Sequence, residues 1–211
     1  MIRLSYSSLT NIFNGHEWLN KMMGIKVPDY PFLKEGTEAH RLIQDHVSGK
    51  IKNEYLSYID ISFPVVEEVD YDERCKFTRQ FNGYEIYGFI DGLDVANKRF
   101  LEIKSSSEPW SISKFKNAMQ RKLYAWALSE YEESYLITGQ KDPEKWTKEP
   151  PKLYSMKITK QDIEDAENWI KAGIAILEKG DFTGGLDENG KCLGCFWNMA
   201  RYKNLANCNF M

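Results

Sequence analysis

The chain has 211 residues, 42% of them hydrophobic, and a net charge of −3. That length can bury a full single-domain core. No stretch reaches the apolar length of a membrane span, and the N-terminal segment has no apolar signal region. The expected setting is therefore the cytoplasm, with no membrane partner. A dedicated duplex-binding module is usually strongly basic, so the slight acidity argues against one. It stays compatible with an acidic, cation-holding site beside a local basic strip. The four cysteines, without a secretion signal, read as free thiols or metal ligands rather than disulfides.

In chain order, Ser5 or Ser7 caps a first helix predicted to run to about residue 23, with Leu9, Ile12, Phe13 and Leu19 along one side. Pro28, Pro31 and Gly36 punctuate a connection. A second helix is predicted over 36–47, carrying Glu38, His40 and Gln44. From 62 to 105 the hydrophobic period changes to two. VVEEVDY (65–71), KFTRQF (76–81), YEIYGFI (84–90) and RFLEIK (99–104) read as strands, with Asn82-Gly83 a hairpin turn. There follow a helix over 113–130, the apolar run SYLITG (134–139), a strand LYSMKI (153–158) and a long helix over 160–179. The tail from 184, rich in Gly, Asn and Cys, reads as irregular. This order predicts an α/β domain with a central mixed β-sheet flanked by helices. It forms a single domain over 1–211, with an N-terminal helical part (about 1–60) and a Cys-containing tail (about 184–211).

The stretch GFIDGLDVANKRFLEIKS (88–105) carries the chemistry. In a hairpin turning at Ala96-Asn97, Val95 faces Lys98, Leu93 faces Phe100 and Asp91 faces Glu102. Strand alternation puts Lys104 on the face of Glu102. Two carboxylates held together repel each other unless compensated. A divalent cation with a taste for hard oxygen ligands, Mg²⁺ or Mn²⁺, compensates them. A lysine beside that cation positions water or stabilises developing negative charge. The competing reading is an exposed hairpin with ordinary charged residues. Its apolar neighbours Leu93, Val95, Phe100, Leu101 and Ile103 weigh against that, because buried charges need a reason.

Gln120 and Tyr124 stand at i and i+4, on one face of the following helix. Alone, they fit a buried tyrosine with a polar neighbour. His40, alone, fits a surface or satisfied helical histidine.

Together, Gly36-Thr37-Glu38-Ala39-His40, Gly88-Phe89-Ile90-Asp91-Gly92, Glu102-Ile103-Lys104 and Gln120-Arg121-Lys122-Leu123-Tyr124 resemble the signatures of the RecB-like branch of the PD-(D/E)XK nucleases. That branch includes the AddB-type repair nucleases and the iron–sulfur nuclease of CRISPR spacer acquisition. The opening Ser5-Tyr6-Ser7-Ser8-Leu9 is similar to the family's first helix. The resemblance implies a restriction-endonuclease-like core. It implies that His40, Asp91, Glu102 and the carbonyl of Ile103 bind Mg²⁺ or Mn²⁺. Lys104 would orient the attacking water, Gln120 would hold Lys104 or a phosphate, and Tyr124 would support it. The implied reaction is phosphodiester hydrolysis in DNA, exonucleolytic on single strands or ends, with recombination, phage or CRISPR proteins as candidate partners. Lys114, Lys116, Arg121 and Lys122 are candidates for the phosphate grip. A structure-specific endonuclease and a non-catalytic nucleic-acid- or protein-binding module are the alternatives.

Iron–sulfur members of the family use four cysteines, and here the pattern departs from them. Cys192 and Cys195 match the C-terminal pair, but no cysteine stands near Gly15-His16 and Cys208 comes later than the family places its last ligand. Loss of the cluster is the favoured reading. The alternative is zinc or an iron–sulfur cluster held by Cys192, Cys195, Cys208 and His16. Cys75 is a further candidate for the missing ligand, but its strand context favours a structural thiol.

Overall fold

A computed structural model describes residues 2–15, 18, 31–66 and 73–180, the side chains of 31–36 excepted. The chain divides into two compact units, one comprising Met1 and Asp29–Glu167, the other Ile2–Pro28 and Asn168–Met211. The candidate ligands His16, Cys192, Cys195 and Cys208 lie outside the described residues.

In the second unit, the short strand β1 (Arg3–Leu4) leads into Ser5, which caps α1 (Tyr6–Phe13), its hydroxyl accepting from the Ser8 N–H at 3.1 Å. Leu9 and Ile12 are buried, and Phe13 stacks on Trp169 at 5.5 Å.

The first unit opens with α2 (Pro31–Val47). The helix begins earlier than the expected residue 36. A proline is tolerated in the first helical turn, where its missing N–H has no intrahelical partner. After β2 (Val65–Val66), β3 (Lys76–Phe81) and β4 (Tyr84–Phe89) form the expected antiparallel hairpin. Its turn places Asn82 and Gly83 at φ 48° and 80°, a left-handed pair that this dipeptide tolerates. The strand pattern read as 84–90 then breaks. Ile90 and Asp91 form a corner, and β5 (Gly92–Asp94) joins a different sheet.

That sheet has the order β2-β5-β6-β7-β8, with β6 (Arg99–Ser106), β7 (Glu133–Gln140) and β8 (Lys152–Lys157). β6 and β7 run parallel and the other neighbours antiparallel, so the sheet is mixed. The β6–β7 crossover consists of α3 (Ile112–Asn117) and α4 (Met119–Ala127). A single helix over 113–130 was expected. Instead Ala118 adopts an extended ψ of 118°, and the chain restarts as a second helix. The long helix α5 (Lys160–Lys179) matches its expected bounds.

The sheet's two faces do different work. Leu101 and Ile103 of β6 join Ala39, Ile43 and Val47 of α2, together with Phe63 and Trp146, in one buried cluster. The alternate residue Phe100 points the other way, onto Tyr124 of α4 at 6.0 Å between ring centroids. α2 and α4 therefore cover opposite faces of the strand that carries Glu102 and Lys104.

Candidate active site

The β5–β6 register pairs Leu93 with Phe100, as expected, and Gly92 with Leu101. The ladder closes at Asp94–Arg99, so Val95 and Lys98 belong to the turn rather than to a facing pair. Asp94 secures that turn. It is 2% exposed and accepts from the Asn97 N–H, the Asn97 amide and Arg99 Nε, the last at 2.7 Å.

Asp91 stands one residue beyond the Gly92–Leu101 pair, in the corner between the two sheets. Its Oδ2 accepts from the Ile103 N–H at 2.5 Å, and its Oδ1 lies 3.4 Å from His40 Nε2. The GFIDG sequence allows this corner to be tight. A Cβ on Gly88 would stand 2.6 Å from Phe77 Cε1, and one on Gly92 3.2 Å from Leu101 Cβ.

Glu102 is 2% exposed. Its Oε1 pairs with the Lys104 ammonium, while Oε2 is buried without a hydrogen-bond partner. Lys104 Nζ also donates to Gln120 Oε1 at 3.0 Å. Gln120 Nε2 donates to the Tyr124 hydroxyl at 2.8 Å, and that hydroxyl donates to the Phe89 carbonyl, also at 2.8 Å. The chain of contacts thus runs from Lys104 through α4 and back to the strand that delivers Asp91. The helix break at Ala118 starts α4 so that Gln120 and Tyr124, one turn apart, share this face. Tyr124 is 4% exposed, and Phe77 and Phe100 hold its ring edge-on.

The electrostatics are those of an over-charged pocket. Burial opposes a charge on His40, but the adjacent Asp91 carboxylate raises its pKa above the ordinary imidazole value. Burial also opposes ionisation of Asp91, yet His40, Lys104 and the Ile103 N–H hold it below the usual carboxylate range. Burial pushes Glu102 up to about 7; Lys104 pulls against this and the neighbouring Asp91 charge adds to it. As the side chains stand, no three His, Cys, Asp or Glu among the described residues form a group that could hold a metal ion. The donor chemistry nevertheless suits a hard divalent cation. Glu102 Oε2 is an orphaned, buried oxygen, and the Asp91 carboxylate and the His40 imidazole stand 3.4 Å apart, a donor pair that one cation could bridge.

The structure thus brings His40, Asp91 and Ile103 into one contact set, and Glu102, Lys104, Gln120 and Tyr124 into another that adjoins it on β6. It disperses the expected phosphate grip. Arg121 is 1% exposed and paired with Asp162, and Lys122 donates to Asp165 at 2.6 Å. Lys114 and Lys116 are exposed. Sequence reasoning missed Trp110, whose ring lies 5.5 Å from Lys104 Nζ. It sits in a connection without periodicity, and no motif marks it.

The fold is similar to that in the crystal structure of SSO0001, with a TM-score of 0.57 and 16% identity over 83% of this chain and 77% of that one. It is also similar to LHK-Exo, an alkaline exonuclease from Laribacter hongkongensis, in complex with dAMP. There the TM-score is 0.51 and the identity 15%, over 84% of this chain and 88% of that one. At these identities the likeness speaks to the fold alone. No curated protein matches the sequence. The sequence pattern of the PD-(D/E)XK nuclease superfamily matches residues 39–200, which include Asp91, Glu102 and Lys104, and the chain belongs to that superfamily.

Proposed function

We propose that this chain is a Mg²⁺- or Mn²⁺-dependent deoxyribonuclease of the RecB-like branch, acting as an exonuclease on single strands or DNA ends. The observation that carries the reading is Glu102: a buried carboxylate with one oxygen on Lys104 and the other unpartnered, next to the His40–Asp91 pair. Such a group is costly in a fold that does not use it. The PD-(D/E)XK family generally uses divalent metal ions. Here His40, Asp91, Glu102 and the Ile103 carbonyl would hold one, and the bound ion would polarise the scissile phosphate and acidify water.

The remaining chemistry belongs to the chain's own residues. Lys104 Nζ donates hydrogen bonds to the water that attacks phosphorus and stabilises charge on the phosphoryl oxygens. Gln120 accepts from that amine and limits its rotamers, and Tyr124 fixes Gln120. These two act through Lys104 and are positioning residues. The name of LHK-Exo as an exonuclease supports the choice of exonuclease over endonuclease.

One digestion panel tests the reading. End-labelled linear and circular DNA, single- and double-stranded, is incubated with Mg²⁺, Mn²⁺ or EDTA. Metal-dependent loss of linear substrate with 5′-phosphate products is expected, and Lys104→Ala should abolish it. Cleavage of circles as fast as of linear DNA would refute the exonuclease assignment. Undiminished cleavage by Lys104→Ala would refute the assigned role of the lysine.

A further inference from the structure

Trp110 lies in the connection between β6 and α3, outside the hydrogen-bonded contacts of the site described above. Its half-buried ring receives two ammonium groups, Lys104 Nζ at 5.5 Å and Lys114 Nζ at 4.5 Å from the ring centroid. The placement is built into the sheet. The Trp110 backbone N–H donates to Thr138 Oγ1 at 2.8 Å, and Thr138 is fully buried on β7 as the register partner of Lys104. The Trp110 backbone is thus anchored to the strand beside the lysine assigned to the scissile phosphate, and the ring stands over that lysine's ammonium. Of the other cations nearby, Arg121 and Lys122 are committed to Asp162 and Asp165. Lys114 is exposed and rests on the indole.

We propose that Trp110 is a base-stacking platform for single-stranded DNA or the frayed end of a duplex. It would take the base of the nucleotide whose phosphate meets Lys104. This rests on the nuclease reading given above. An exposed ammonium such as that of Lys114 is weakly held on a ring, whereas its charge-assisted hydrogen bond to phosphate is stronger. An incoming strand therefore draws Lys114 off the indole onto a flanking phosphate and frees the π face for a base. Every base has such a face, so the platform tolerates any sequence. A base inside a duplex is already stacked on its neighbours, so the platform selects unpaired nucleotides. A stacked base fixes the nucleotide in the register that presents its phosphate to Lys104.

The test compares cleavage, in Mn²⁺, of an end-labelled oligothymidylate with that of an oligomer of the same length carrying stable abasic residues at its ends. Wild type, Trp110→Ala, Trp110→Phe and Trp110→Leu are measured for KM and kcat, with melting temperatures as a check on folding. Removing a base–aromatic stack should lower kcat/KM of Trp110→Ala on oligothymidylate by roughly 5- to 150-fold, mainly through KM. On the abasic oligomer the same variant should match wild type, because there the stack is already missing. Phenylalanine should restore most of the loss. Leucine, apolar but without a π face, should not, and it also serves if alanine destabilises the loop. Equal losses on the two oligomers would overturn the proposal and leave Trp110 as packing for Lys104, as would full activity of the leucine variant. A wild-type protein that cleaves no DNA in any metal would overturn the nuclease reading and this inference with it. Cleavage without the base contrast would overturn this inference alone.

Discussion

Glu102→Gln should make the metal-free protein more stable, with a gain that is absent in acid and complete at alkaline pH. Burial pushes the Glu102 carboxyl up to about 7 from its ordinary 4.5. Its folded pKa lies above its unfolded one, so its contribution to stability is fully present below 4.5 and is lost as pH rises through about 7. At about 1.4 kcal/mol per unit, that difference corresponds to about 3 kcal/mol of destabilisation once the carboxylate is ionised. Glutamine removes the charge and keeps the shape, although Lys104 loses its ionic partner, so about 3 kcal/mol is an upper limit. His40, with a raised pKa, also loses stabilisation as pH rises through this range, but it does so in both proteins. The Glu102 charge is a lesser cause of that His40 shift than Asp91, so the difference between variant and wild type reports mainly Glu102. The assay is urea denaturation in EDTA at about pH 4 and about pH 8.5, followed by Mn²⁺ addition. The two proteins should be nearly equal at the lower pH and the variant more stable at the higher. Mn²⁺ should raise the stability of wild type and leave the variant behind. A variant no more stable than wild type at about pH 8.5, or a gap independent of pH, would refute the account of Glu102 as a buried carboxylate awaiting a cation.

Arg121→Ala, or Asp162→Ala, should cost about 3–5 kcal/mol in denaturation, because each leaves a buried charge without its partner. Gly88→Ala should cost about 1–3 kcal/mol by overpacking against Phe77. It should also slow cleavage, since Phe77 supports Tyr124. Tyr124→Phe should reduce cleavage by roughly 10- to 100-fold, as expected when a supporting group loses its hydrogen bonds. Its melting temperature should change little, and the loss should appear in kcat rather than KM if the hydroxyl acts by orienting Lys104 through Gln120.

What the sequence discloses is the part of the molecule governed by local rules. Asn82-Gly83 fixes a turn by backbone conformation, and alternation in RFLEIK fixes which β6 residues share a face, so Glu102 and Lys104 are legible together. The i, i+4 spacing of Gln120 and Tyr124 needs only a helix beneath it. Where a residue's role depends on chain distant in sequence, the pattern is silent. Asp91 and Asp94 belong to one short motif, yet Asp91 meets His40 from α2 while Asp94 tightens its own turn. Register counting puts Asp91 opposite Glu102, but nothing in the spacing discloses its contact with His40. Arg121 and Lys114 both read as surface cations. Only the start of α5 decides between them, because Thr159 and Asp162 cap that helix reciprocally and bring the Asp162 carboxylate to Arg121. The corner at Ile90–Asp91 is the most instructive case. A run read as one strand is divided between two sheets, with the Ile90 N–H turned to the Cys75 carbonyl at 2.9 Å. The same division leaves the Asp91 side chain free to reach both the Ile103 N–H and His40, which a residue in the middle of a continuous ladder could not do. The feature that local rules predict worst is therefore the one that assembles the site.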